Sequence, residues 1–323
     1  MLNVDYREDL CYKNNQKMAS AQTMKPQLIL LLFLLSCTPI AEIPREDNKP
    51  MEVYFCKGMI CHEKLLSEFA KANDIKCALY SLNSKELEQI LQTKNAEVII
   101  DNNKDLTILE AKLDPSKRTL HDKFCILDSE EIITGSYNPT SKNSSTANNL
   151  IILHSKYLSQ NYLQDFYEIK NRKKDQKVKY PVIILNNKTI ENYFCPEDDC
   201  DGKVISTLEK AQQDIKFMTY SFTDDKIGTL LLEKSKTIPI TGLFEKRQNS
   251  KWSEYNKLKE FSNTISGIHH KVFIIDNSIV ITGSYNPTSN GAKRNDENVL
   301  IIHDESIAKK FLEEFENLKT KSN

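Results

Sequence analysis

Two sets of polar residues recur in this chain with identical spacing. The first is His121, Lys123, Asp128, Gly135, Ser136 and Asn138. The second is His269, Lys271, Asp276, Gly283, Ser284 and Asn286. The string TGSYNPTS occurs at 134–141 and again at 282–289. Paired sets of this kind suit one anionic phosphorus centre held between them. Lys123 and Lys271 neutralise the non-bridging oxygens, Asn138 and Asn286 donate amide hydrogen bonds to them, and the hydroxyls of Ser136 and Ser284 lie nearby. One histidine attacks phosphorus; the other protonates the leaving alcohol and then deprotonates the water that releases the product. Histidine serves both roles because its ordinary pKa is close to neutrality. Lysines supply the positive charge, so this chemistry calls for no metal and no cofactor.

The elements around these residues must present them together. In HDKFCILD, the two-residue period of a strand puts His121 and Lys123 on one face and Phe124 and Ile126 on the other. In the second copy His269 and Lys271 likewise share one face. Asp128 and Asp276 lie at an offset that faces them away, so they are expected to tie down a turn, with Gly135 and Gly283 in the turns that come after. The repeat extends outward. Each copy reads as a strand, a cysteine loop, a helix and a strand ending in Tyr-Ser (Tyr80-Ser81, Tyr220-Ser221), and closes with a strand and an amphipathic helix. The expected fold is α/β: two tandem α/β/α sandwich units forming a pseudo-two-fold dimer within one monomer. The expected divisions are a leader at 1–36, a linker at 37–50, and units at 51–172 and 173–323.

Of the 323 residues, 39% are hydrophobic and 28% charged, as in a globular chain with a sizeable core, and the net charge of -1 gives no global field for nucleic acid. The segment MKPQLILLLFLLSC, from Met24 to Cys37, has the short apolar core of a secretory signal. LLSC resembles a bacterial lipoprotein cleavage site, which makes Met24 the expected start and Cys37 the lipidated residue. The expected location is an exported, membrane-anchored lipoprotein, periplasmic or at the cell surface. In such a compartment Cys56 with Cys61, and Cys195 with Cys200, read as short-loop disulfides, with a zinc site as the alternative. Cys77 and Cys125 read as plain core residues, and Cys11 falls in the leader. His154 and His303 recur beyond the motif as structural histidines. His270 should face away from its neighbour His269, and His62 has no partner pattern. Trp252 and Tyr255 are expected in a helix, as core or pocket wall. Tyr220 and Phe222 are placed equally at the pocket or in the core.

Both motif sets resemble the phospholipase D superfamily, near the compact bacterial endonuclease-like and cardiolipin-hydrolase-like members. There YSFT (220–223) precedes the histidine motif and NDEN (295–298) follows the Gly-Ser turn. The resemblance implies a phosphohistidine mechanism on phosphodiesters that range from phospholipids to nucleic acids. The family also places an acidic residue after the turn, behind a catalytic histidine. Glu297 supplies it in the second copy; Asn148 stands there in the first. A carboxylate behind an imidazole fixes its tautomer and stabilises its cation, which favours His269, backed by Glu297, as the nucleophile. Two-motif members of the family more often use the first histidine. The expected activity is metal-independent hydrolysis of a phospholipid head group. A nuclease and a catalytically weak surface-binding lipoprotein are the alternatives.

Overall fold

The apolar runs of the two histidine motifs become the central strands of two sheets with the same internal order. The structure is a computed structural model that describes residues 42–321, except 102–105, 107–108, 110, 115–117, 141–144, 172 and 174–175. The leader, the start at Met24 and the lipidation at Cys37 lie outside the described residues. From Ile43 onward the chain forms one unit, to which both copies of the repeat belong.

In the amino-terminal half the elements are β1 (Arg45–Glu46), β2 (Glu52–Phe55), α1 (Ile60–Lys71), β3 (Ile75–Leu79), α2 (Lys85–Thr93), β4 (Glu97–Ile100), β5 (Lys112–Leu113), β6 (Thr119–Leu120), β7 (Lys123–Leu127), β8 (Glu131–Gly135), β9 (Asn149–His154) and α3 (Lys156–Asn171). The second half has β10 (Val182–Leu185), β11 (Lys188–Cys195), α4 (Cys200–Glu209), β12 (Ile215–Thr219), α5 (Asp225–Lys234), β13 (Ile240–Glu245), α6 (Tyr255–Leu258), β14 (Ser262–Ile265), β15 (Lys271–Ile275), β16 (Ile279–Gly283), α7 (Ser289–Lys293), β17 (Asn295–His303) and α8 (Glu305–Lys319). The first sheet runs β2-β9-β8-β7-β3-β4-β5. The second runs β11-β17-β16-β15-β12-β13-β14 in matching order, extended by β10 and β1 beyond β11. The duplication and the α/β class are therefore both visible in the topology.

The closing helix of each half lies between the sheets. In α8, Asp304 caps the first turn by accepting from the Ser306 and Ile307 amides, and Ile307, Phe311, Phe315 and Leu318 recur at helical spacing on the buried face. Phe311 meets Phe55 of the first half edge to face, 5.2 Å between ring centres, and Tyr162 of α3 meets Phe194 of the second half in the same way at 5.1 Å. Each half thus buries its last helix against the other, and one hydrophobic core runs through both.

Among the described residues, three disulfides staple the chain. Cys56–Cys61 and Cys195–Cys200 close short loops ahead of α1 and α4. Cys77 and Cys125 were expected to be plain core residues. They are directly paired across β3 and β7 and are bonded to each other. In the second half the equivalent pair is Phe217 opposite Phe273, so the same buried site is filled by a covalent link in one copy and by two rings in the other.

Candidate active site

The Gly-Ser turns come first, because they set where the asparagines stand. Gly135 has φ 138° and Gly283 has φ 134°, in the region glycine tolerates. A Cβ on Gly135 would sit 2.4 Å from the Asn149 carbonyl oxygen, and on Gly283 2.3 Å from that of Asn298. Only glycine permits this approach. The serine hydroxyls then lock the turn: Ser136 Oγ accepts from the Asn149 amide at 3.0 Å, and Ser284 Oγ from the Asn298 amide at 2.9 Å. Both serines are fully buried, and Ser136 also donates to Asn148 Oδ1 at 3.2 Å. The expectation that their hydroxyls hold phosphate is corrected, since they bond the neighbouring strand. Past the turn, the carbonyls of Pro139 and Pro287 accept from the Asn83 and Thr223 amides, both at 2.9 Å. Asn138 and Asn286 are thereby held, buried, beside the segments that follow Tyr80 and Tyr220.

Each histidine is positioned by the opposite half. β6 pairs in parallel with the start of β17, and the His121 amide donates to the Asp296 carbonyl at 2.9 Å. Symmetrically, the His269 amide donates to the Ala147 carbonyl at 2.8 Å. This register carries Glu297 behind His121, with Nδ1 2.7 Å from Oε2, and Asn148 behind His269, with Nδ1 2.7 Å from Oδ1. The expectation that Glu297 backs His269 within its own copy is overturned, because the strand that follows each turn reaches across the interface. Asn148 donates its own amide hydrogens to Thr146, which leaves Oδ1 as the acceptor and puts the proton on His269 Nδ1. Both rings therefore offer Nε2 to a substrate. A second pair of bonds locks the same interface: Asn149 Nδ2 donates to Thr282 Oγ1 at 2.7 Å, and Thr134 Oγ1 to Asn298 Oδ1 at 3.4 Å.

The lysines follow their histidines. Lys123 and Lys271 are almost wholly buried, and each ammonium donates to the carbonyl of its own motif histidine. Lys271 Nζ also lies 3.4 Å from both ring nitrogens of His269. Tyr80 packs on His121 with 5.1 Å between ring centres and Tyr220 on His269 at 4.6 Å, and each tyrosine ring also faces the lysine of its own half. The expectation left Tyr220 between pocket and core and gave Tyr80 no role. The repeated Tyr-Ser at a strand end was the signal that both flank the site.

Burial sets the charge states. It holds His121 down to about 4, with Glu297 pulling upward and Lys123 and Lys271 pushing down further. Burial also holds His269 well below its ordinary value, with Lys271, Lys123 and His121 adding to the effect. Lys123 falls to about 8 through burial, and Lys271 falls well below its usual range through burial and the nearby Lys123. Groups from both halves thus share one field. The imidazoles rest neutral beside two crowded lysines, and an arriving anion favours the charged forms of both.

The other expected residues act in support. Asp128 accepts from the Asn73 and Asp74 amides, and Asp276 from those of Gln212, Gln213 and Asp214; each ties the end of a helix to the strand of its motif. Asp101 and Glu245 do the same one step before each histidine, bonding the amides of Leu120, and of Gly267 and Ile268. His303 bonds Glu191 at 2.7 Å and His154 lies 3.4 Å from Glu131. His270 is fully buried against Phe55, and His62 is buried on α1. Phe222 is core. Trp252 departs from expectation: it stands in a turn before α6 and is 71% exposed, while Tyr255 packs on Phe244.

A family model described as "Cardiolipin synthase, PLD-like domain" matches residues 48–170 and 204–319. A phospholipase D of Rickettsia prowazekii (strain Madrid E) is 33% identical over 153 residues, which is 45% of this chain and 74% of that protein. The mitochondrial cardiolipin hydrolase of Homo sapiens is 47% identical over 51 residues, 16% of this chain and 20% of that protein. Among solved structures, the phosphatidylserine synthase of Haemophilus influenzae Rd KW20 superposes with a TM-score of 0.62 over 84% of this chain and 86% of that one; at 11% identity this likeness speaks for the fold alone. With both motif sets intact and a family match across both halves, this chain belongs to the phospholipase D superfamily and is a hydrolase of phosphodiester bonds.

Proposed function

We propose that the protein is a phospholipase D-type enzyme that removes the head group of a phospholipid through a phosphohistidine on His121, without a metal. The observation that carries this reading is the Glu297 carboxylate 2.7 Å behind His121 Nδ1. When Nε2 of His121 attacks, a P–N bond forms and the ring becomes cationic; the carboxylate stabilises that cation. The P–O bond to the leaving alcohol breaks, and the proton on His269 Nε2 passes to the alcohol. His269 has only an amide behind it and two lysines near it, so it releases a proton readily once the substrate's negative charge has allowed it to take one up. Neutral His269 then takes a proton from water. The new P–O bond forms, P–N breaks, and His121 returns to its neutral form. Lys123, Lys271, Asn138 and Asn286 hold the equatorial oxygens throughout. On this reading Asn148 stands behind the acid-base histidine, where a carboxylate is less needed, so it does not argue for a weak enzyme.

Phospholipid is favoured over nucleic acid by the relatives named phospholipase D and by the absence of a global cationic field at net charge -1. Three disulfides fit an oxidising, extracytoplasmic location, and the lipoprotein-like Cys37 would hold the enzyme at a membrane. The test offers phosphatidylcholine, cardiolipin and single-stranded DNA to the purified protein in chelator. Head-group release with acid-labile phosphate trapped on His121 is expected. Cleavage of DNA alone would overturn the lipid assignment, and inhibition reversed by added metal would overturn the metal-free mechanism.

A further inference from the structure

A cavity of about 860 Å³ lies beside the catalytic centre and is lined by none of its side chains. One wall is formed by Ser145, Thr146, Ala147 and Gly267, the segments whose carbonyls and side chains hold His269 and Asn148 in place. α8 forms the opposite wall through Glu314 and Asn317. Three lysines reach it from separate parts of the chain: Lys57 in the Cys56–Cys61 loop, Lys246 directly after β13, and Lys321 beyond α8. All three are exposed, and among the described residues none forms an ion pair. The one carboxylate on the cavity wall, Glu314, lies 3.5 Å from the buried His270.

Exposed apolar side chains stand close in the chain to two of these lysines. Met59 and Ile60, in the same disulfide loop as Lys57, are 49% and 50% exposed. Trp252, six residues beyond Lys246, is 71% exposed, with Lys251 Nζ 4.8 Å from its ring centre. Cations interleaved with protruding apolar groups match an anionic bilayer surface, where the apolar tips enter the head-group layer and the lysines meet phosphate. A single-stranded nucleic acid would need stacking faces along a cationic groove, and Met59 and Ile60 offer none.

We propose that this cavity is a second, non-catalytic site for the phosphate of an anionic phospholipid, and that Met59, Ile60 and Trp252 seat its rim in the bilayer surface. The inference rests on phospholipid being the substrate class, and it gives the enzyme a way to hold its catalytic centre at the lipid interface apart from any anchor.

The test uses the full chain with Cys37→Ser, so that no acyl group contributes to binding. Trp252 is the only tryptophan, so intrinsic fluorescence reports on it alone. Vesicles of phosphatidylcholine with phosphatidylglycerol are expected to shift that emission to the blue and to sediment with the protein; vesicles of phosphatidylcholine alone should do so far more weakly. The triple variant Lys57→Gln, Lys246→Gln, Lys321→Gln is expected to bind the anionic vesicles about a hundredfold more weakly, from roughly a few-fold per lysine. It should hydrolyse the soluble diester bis(p-nitrophenyl) phosphate at the unaltered rate. Equal binding to both vesicle types, an unshifted Trp252, or undiminished binding by the triple variant would overturn the proposal. So would binding of an oligonucleotide, lost in the triple variant, with no binding of vesicles. If the unsubstituted active site leaves the soluble diester intact while vesicle binding behaves as expected, the catalytic reading fails and this inference stands.

Discussion

Nδ1 of His121 faces Oε2 of Glu297 at 2.7 Å, although the two residues stand 176 positions apart and belong to different copies of the repeat. The corresponding oxygen behind His269 comes from the amide of Asn148. The two imidazoles therefore share a position in the motif and differ in the charge behind them, and on the proposed mechanism that difference divides the work between nucleophile and acid-base.

Glu297→Gln should lower kcat by about 10³-fold, because an amide neither fixes the tautomer of His121 as firmly nor stabilises its phosphorylated cation. His121→Ala should abolish trapped phosphoenzyme. His269→Ala should still give a burst of p-nitrophenol from bis(p-nitrophenyl) phosphate, a leaving group that needs no acid. Rapid-quench measurement of the burst decides between the histidines, and a burst lost with His269 and kept without His121 would reverse the assignment.

Activity and stability should move in opposite directions at alkaline pH. Lys123 is held down to about 8 from an ordinary 10.5, so kcat/KM should fall above about pH 8 as its charge is lost. Over the same range the unfolded chain binds the proton that the folded one has released, so stability should rise from about pH 8 towards 10.5. On the acid side His121 is held to about 4 from an ordinary 6.5; its contribution to stability is intact above 6.5 and is lost as pH falls towards 4. Urea midpoints across pH, set beside a kcat/KM profile, check both limbs.

Replacing Cys77 and Cys125 together by alanine should cost more stability than replacing Cys195 and Cys200. The first bond closes a separation of 48 residues and the second one of 5. Loop-closure entropy gives about 4 kcal/mol for the former and about 2 kcal/mol for the latter. Denaturant titration of the two double variants under non-reducing conditions measures the difference.

Gly283→Ala should destabilise the fold by more than about 1 kcal/mol and also lower activity, since the added carbon meets the Asn298 carbonyl at 2.3 Å and φ is positive. The displaced turn carries Asn286, so KM for a soluble diester should rise along with the loss of Tm. A variant with native stability and kinetics would show that the turn tolerates a side chain.

The sequence by itself determined the duplication, the α/β class, the face on which His121, Lys123, His269 and Lys271 stand, and the glycine turns. These rest on local rules: a two-residue strand period, a helical apolar stripe, and a backbone angle that only glycine adopts freely. Tertiary structure alone decided which acceptor stands behind which histidine, because that depends on β6 pairing with β17 across the interface, a register between segments far apart in the chain. It also decided that Cys77 meets Cys125. Hydrophobic alternation places both inward, but only the β3–β7 register makes them opposite partners. The serine hydroxyls went to the neighbouring strand for the same reason: the glycine before each of them brings the two backbones close enough for the hydroxyl to reach the facing amide.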